Sequence, residues 1–221
     1  MDVRASASYS HTSYRQAVHD DAVLHISRVD PALARVIERV GACRFVARSE
    51  GSHFAHIARA IIYQQLSGKA AATIHRRFEE IYGGRAPTPA ELLATPDEQL
   101  RAAGVSRQKA AYLKDLAAKV AGGAVPLERI EELDDDAIIR ALVAVKGVGR
   151  WTAQMFLMFR LGRADVLPEL DLGVQRGIQL AYGLSALPRP KDVQRIGAPW
   201  APYRSVAAWY LWRSLDGEAQ L

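Results

Sequence analysis

Three observations predict an all-α fold. Apolar residues recur at helical spacing through almost every segment of the 221-residue chain. Capping and breaking residues bracket those segments at helical lengths. No stretch alternates apolar and polar residues between turn pairs, so no sheet is supported. About ten helices are expected, joined by short turns marked by Pro and Gly. The length suits one large domain or two small lobes, and is enough to bury a sizeable core.

The elements follow in order. Residues 14–28 form a loose amphipathic helix after a polar tail of about residues 1–12. Asp30–Pro31 opens PALARVIERVG, with Pro at its first position and Gly41 at its end. In HFAHIARAIIYQQL, residues 53–66, the residues Phe54, Ile57, Ile61 and Ile62 share one face. Ser67 caps a helix that Gly83 ends. Thr88–Pro89 and Thr95–Pro96 open two short helices, the second closed by Gly104. Ser106 caps RQKAAYLKDLAAKVAGG, and Asp134 to Asp136 cap AIIRALVAV. After a glycine break, WTAQMFLMFRLG runs to Gly162. Asp171 precedes LGVQRGIQLAYG, and SVAAWYLWRSL is the last strong helix. The proline-rich stretch Gly183–Tyr203 lacks periodicity and reads as a surface excursion. Trp209 and Trp212 read as core; Trp200 is left open.

Composition narrows the function. With 49% hydrophobic and 24% charged residues the chain is an ordinary globular protein, neither disordered nor fibrous. Its formal charge of +5 favours an anionic partner without requiring one. The single cysteine, Cys43, excludes an internal disulfide or a four-cysteine metal site and suits a reducing compartment. Its apolar context, GACRFV, reads as a small buried residue. The first residues lack the apolar run of a secretory signal, and no stretch has the length of a membrane span. No membrane association is expected, and the chain is read as a cytoplasmic monomer, at the nucleoid if bacterial. The six histidines show no ligand spacing, so no catalytic metal or cofactor is required.

The sequence ALVAVKGVGRWTAQ, residues 141–154, breaks a helix and restarts it at once. Gly147 and Gly149 permit positive φ and keep the backbone bare of side chains. The N–H groups at the second helix's start then carry the positive end of the helix dipole outward, a natural phosphate seat. Lys146 and Arg150 flank it. An ordinary helix–helix turn would need the same glycines.

The neighbouring blocks separate those readings. LVAVKGVGRWTAQMFLMF resembles the helix-hairpin-helix signature of the helix-hairpin-helix DNA glycosylase superfamily. LPELDLG resembles the loop and aspartate that follow it there. AIIYQQLSGKAAA, from residue 60, and WAPYRSVAAWYLWR, from residue 200, resemble two blocks of its alkylbase branch, DNA-3-methyladenine glycosylase II. The four blocks stand in the family's order over roughly residues 50–215. The resemblance implies one glycosylase domain over residues 1–221. It would be built as two helical lobes with the active site in the cleft between them. The hairpin would span about residues 137–161 and the catalytic loop about 163–173.

The resemblance also implies roles. A glycosylase takes a nucleotide out of the stack of duplex DNA and breaks the bond between base and sugar. Positive charge develops on the sugar, and a fixed carboxylate stabilises it. Asp171 occupies the family's position for that carboxylate; an Asp there also caps a helix, and both roles can coexist. Glu169 is the nearest rival. Where the lyase branch carries a lysine that makes a Schiff base, this chain has Trp151, so base removal without strand cleavage is expected. Trp151 and Tyr203 would line the base pocket and attract cationic alkylated purines. Met155 stands where some relatives have an aromatic residue. Lys146, Gly147, Val148, Gly149, Arg150 and Thr152 would hold DNA at the hairpin. By alignment the loop tip is Gln65 with Leu66 next to it, and one or the other would fill the gap left by the flipped base. The carbonyls of Val143, Val145 and Val148 would bind a structural sodium or potassium ion. The expected partner is damaged double-stranded DNA. Two other readings remain open: the same fold acting on another lesion, or a non-catalytic hairpin module that has no need of Asp171.

Overall fold

The computed structural model describes residues 11–48 and 50–216, with side chains from residue 19 on. Among these, twelve α-helices and two 3-10 segments account for the regular structure, and there is no strand. The tail expected at residues 1–12 lies, but for its last two residues, outside the described residues. The chain divides into two compact units. One is built from the segments up to Val46 and from Arg163 on, the other from Ala47–Gly162.

The first unit contains α1 (His11–Val29), α2 (Pro31–Val40), α10 (Leu172–Ala181), α11 (Pro190–Gly197) and α12 (Arg204–Arg213). Ile26, Leu33, Val36, Val174, Ile178, Val206 and Leu211 form its core. Each such side chain stabilises the unit by roughly 1.5–3 kcal/mol relative to exposure. Asp30 is the polar centre of this core. Its Oδ1 caps α2 by accepting the Ala32 and Leu33 N–H groups, both at 3.0 Å. Its Oδ2 accepts the Trp200 indole N–H at 2.6 Å and the Tyr182 hydroxyl. Four donors offset the cost of burying a carboxylate. Burial, then the hydrogen bond to Asp30, raises the Tyr182 pKa. Trp200 is therefore core, and its stretch is no mere surface excursion: it holds α11 and a 3-10 turn, Ala198–Trp200. Proline richness hid α11, although Pro190 is its first residue, the position that proline favours. Cys43 is buried as expected, and its thiol pKa is raised by burial.

The second unit contains α3 (His53–Tyr63), α4 (Gly68–Glu80), α5 (Pro89–Ala94), α6 (Asp97–Ala102) and α7 (Arg107–Ala121). A 3-10 turn, Leu127–Glu132, follows, then α8 (Asp135–Val143) and α9 (Arg150–Phe159). The α3 face expected to be apolar is buried at Phe54, Ile57, Ile61 and Ile62. It meets α7, whose Leu113 and Leu116 are fully buried. The helix expected to run to Leu66 stops at Tyr63, because Gln64 is extended and Gln65 turns left-handed at φ 56°. Similarly α9 stops at Phe159, short of Gly162. Arg160 fastens the start of this unit. Its guanidinium donates to the carbonyls of Arg48, Glu50 and Gly51 at 2.9, 3.0 and 2.6 Å, and to His53 Nδ1 at 3.0 Å. The turn Leu127–Glu132 was not anticipated; a six-residue segment is too short to show a period.

Candidate active site and DNA interface

In the first unit the loop after Arg163 leads to Asp171, and the first turn of α12 secures it. Ser205 Oγ donates to the Arg163 carbonyl at 2.7 Å and accepts the Val166 N–H at 3.0 Å. Arg204 pairs with Asp165, Nε to Oδ1, at 2.7 Å. Asp171 is the N-cap of α10, where Oδ1 accepts the Val174 N–H at 2.8 Å. The same oxygen accepts the Trp212 indole N–H at 2.7 Å. Helix α10 begins at Leu172, so the loop ends two residues before the expected boundary.

Trp212 is thus not simply core: it is half-buried and orients the carboxylate. Gly173 makes this possible, since a Cβ there would lie 2.7 Å from Trp212 Cδ1. Periodicity could not reveal a tryptophan that reaches back 41 residues to Asp171. Glu169, the rival, is buried at 6% exposure, and its carbonyl accepts the Gln175 amide at 3.0 Å. Tyr203 is half-buried at the start of α12, its ring edge-on to His25 with centroids 5.6 Å apart.

In the second unit the hairpin spans α8 and α9, two residues earlier than expected at each end. Gly147 takes φ 79°, the left-handed region expected of a turn glycine. Gly149 does not: its φ is −91°, and nothing lies within 4 Å of where its Cβ would stand. It is the N-cap of α9 and offers the first turn no side-chain oxygen. Gly147 is a glycine for a second reason as well. A Cβ there would fall 2.1 Å from Tyr112 Cδ2, inside the ring's edge. Val148 packs its side chain into the core, as does Val145, so only its backbone can serve DNA. Val143 is 44% exposed.

The turn is held from α7. Asp115 Oδ2 accepts the Lys146 N–H at 2.8 Å, and Asp115 pairs with Lys119 at 2.7 Å. Burial pushes the Asp115 carboxyl up, but Lys119 and the Lys146 N–H outweigh it and hold it below the ordinary value. The Lys146 side chain, by contrast, is exposed.

A pocket of about 640 Å³ opens in this unit between α3, α7 and the hairpin. Its walls include five expected site residues: Trp151, Thr152, Met155, Gly147 and Gln65. Trp151 is 42% exposed. Leu66, Lys146, Val148 and Arg150 are not among the lining residues. Tyr63, Tyr112, Gln108 and Lys109 join the walls without having been anticipated. Tyr112 OH accepts the Gln108 amide at 2.7 Å.

No cluster of His, Cys, Asp or Glu among the described residues is arranged to hold a metal ion. No helix among them is long and apolar enough to cross a membrane.

Residues 58–202 match the model of the HhH-GPD superfamily base excision DNA repair proteins. DNA-3-methyladenine glycosylase 1 of Schizosaccharomyces pombe is 36% identical over 87% of this chain and 86% of its own length. A solved DNA-3-methyladenine glycosidase from Bacillus halodurans superposes with a TM-score of 0.82 at 37% identity, covering 90% of this chain and 91% of that one. The S. pombe 3-methyladenine DNA glycosylase solved in complex with abasic DNA gives 0.78 at 34% identity, covering 89% and 97%. The ordered sequence blocks, the helical hairpin and the capped aspartate thus have one common explanation: the chain belongs to the HhH-GPD superfamily of base excision DNA repair proteins.

Proposed function

We propose that this chain is a monofunctional DNA glycosylase that removes alkylated bases such as 3-methyladenine from duplex DNA. The nucleotide is flipped out of the stack and its N-glycosidic bond is hydrolysed. The observation that carries the reading is Asp171, whose Oδ1 is held by two donors from α10 and α12. A carboxylate fixed in advance stabilises the oxocarbenium-like sugar without reorganising during the reaction. The bond's electrons leave with the base, water adds to the sugar carbon, and its proton passes to solvent. A cationic alkylated purine leaves as a neutral molecule, so leaving-group protonation is not needed. The family membership and the names of the relatives support the same substrate class.

The other residues divide the remaining work. In the pocket of the second unit, the partly exposed indole of Trp151 attracts a cationic base, while Met155 shapes the wall. Trp151 has no amine, so the sugar is not attacked covalently and the strand is left intact. The α9 N-terminus at Gly149, Arg150 and Thr152, with Lys146 beside it, grips phosphate by dipole and charge. Gln65, beside Leu66, fills the gap in the duplex. The hairpin carbonyls of Val143, Val145 and Val148 suit a sodium or potassium ion. The Val145 carbonyl accepts one bond, from the Val148 N–H at 3.0 Å, and keeps a second lone pair. Such an ion would supply positive charge at the hairpin.

Release of base from methylated duplex DNA tests the reading. The wild-type chain should release 3-methyladenine. Asp171→Asn should not, yet should bind the duplex as well or better, because the lost interaction exists only in the transition state. Wild-type turnover by the Asn variant would overturn the assignment.

A further inference from the structure

One face of α7 touches both turns that the proposed function sends to DNA. Gln108, Tyr112, Asp115 and Lys119 recur at helical spacing, so they share a face. At the hairpin end, Asp115 accepts the Lys146 N–H and the Tyr112 ring packs where a Gly147 side chain would stand. At the other end, Lys109 Nζ donates to the carbonyls of Ile62 and Gln64, both at 2.7 Å. These carbonyls belong to the end of α3, where a cation satisfies orphan acceptors and the negative dipole end together. The next residue, Gln65, is the only described non-glycine residue at positive φ. A third bond joins the two turns directly: Gln64 Nε2 donates to the Gly147 carbonyl at 2.8 Å.

Resting on the reading of Gln65 as the inserted residue, we propose that Lys109 is a positioning residue that holds the insertion loop in its left-handed turn. Helix α7 then acts as a splint setting the spacing between that loop and the phosphate-binding hairpin. Lys109 spends its ammonium on two protein carbonyls rather than on phosphate. Gln65 has no glycine's freedom, so its turn persists only while its neighbours hold it. The Gln64–Gly147 bond lets a phosphate gripped at the hairpin fix the height at which Gln65 meets the stack.

The test uses a duplex with an uncleavable abasic analogue and 2-aminopurine beside it, whose fluorescence rises when the stack is opened. Lys109→Met keeps the aliphatic stem and removes the donor. It should lose most of the rise, about fivefold, at saturating protein, while binding undamaged duplex within about twofold of wild type with an unchanged salt slope. Lys109→Arg, which can still donate to two carbonyls, should restore the rise. Asp115→Ala, which removes the acceptor of the Lys146 N–H at the other end of the splint, should weaken duplex binding while leaving the rise per bound complex intact. On a methylated base, Lys109→Met should slow excision about tenfold opposite the normal partner and under twofold in a mismatch, where less unstacking is needed. A wild-type rise in Lys109→Met, or equal losses on paired and mismatched lesions, would overturn the proposal. If the wild-type chain releases no base, the glycosylase reading fails, but the fluorescence arm still decides the role of Lys109.

Discussion

Gly147→Ala separates two reasons for a glycine at the hairpin. The left-handed φ of 79° costs an alanine about 1–2 kcal/mol. The added methyl would also meet Tyr112 Cδ2, Cε2 and Cγ at 2.1, 2.4 and 2.6 Å, so the ring or the turn must move. Overpacking of that kind adds about 1–3 kcal/mol. The total should therefore reach about 2–5 kcal/mol, read from urea unfolding as a shift in midpoint at constant slope. Removing the ring first should relieve the second contribution alone. In a Tyr112→Ala background, Gly147→Ala should cost only the backbone part, about 1–2 kcal/mol. Gly149→Ala serves as the control. With φ at −91° and open space at its Cβ, it should cost only the N-cap preference for glycine over alanine, up to about 1 kcal/mol. Equal costs for Gly147→Ala with and without the Tyr112 ring would refute the packing explanation. Glycine would then be required by φ or by phosphate alone.

Three further outcomes are expected. Lys146→Ala should flatten the dependence of log K on log salt by about 0.9, one phosphate's worth, without changing which base is chosen; a changed lesion preference at constant salt slope would place Lys146 in the pocket. Borohydride should trap no covalent complex on damaged DNA, and no strand nick should appear, because residue 151 is tryptophan; a stable adduct would point to another lysine. Burial, then Arg160, Arg48 and Arg59, lowers the His56 pKa to about 4, against roughly 6.5 in the unfolded chain. The unfolded state therefore takes up the proton first, so stability is intact above about pH 6.5 and lost as pH falls toward 4. Discounted for partial exposure, the loss attributable to His56 is about 1–2 kcal/mol. His56→Gln should remove that part of the slope of stability against pH, and an unchanged slope would show that His56 titrates normally.

The helical class, the helix starts at Asp30, Ser67, Thr88, Ser106 and Asp134, and the hairpin were legible in the sequence. Each rests on residues within one or two turns of one another. Asp171 was legible for the same reason: a cap is a local bond, and the one to Val174 spans three residues. Only the tertiary structure decided what surrounds these features. Trp212 orients Asp171 from 41 residues away, and Trp200 bonds Asp30 across 170. Tyr112 demands the glycine at 147, and Lys109 reaches back to the end of α3. No spacing in the chain encodes such pairs, because the partners meet only when helices pack. The end of α3 departs from expectation on the same ground: YQQL continues an acceptable helical pattern, but the helix stops at Tyr63, where Lys109 Nζ donates to the carbonyls of Ile62 and Gln64 and the Gln64 backbone N–H donates to that of Ile61.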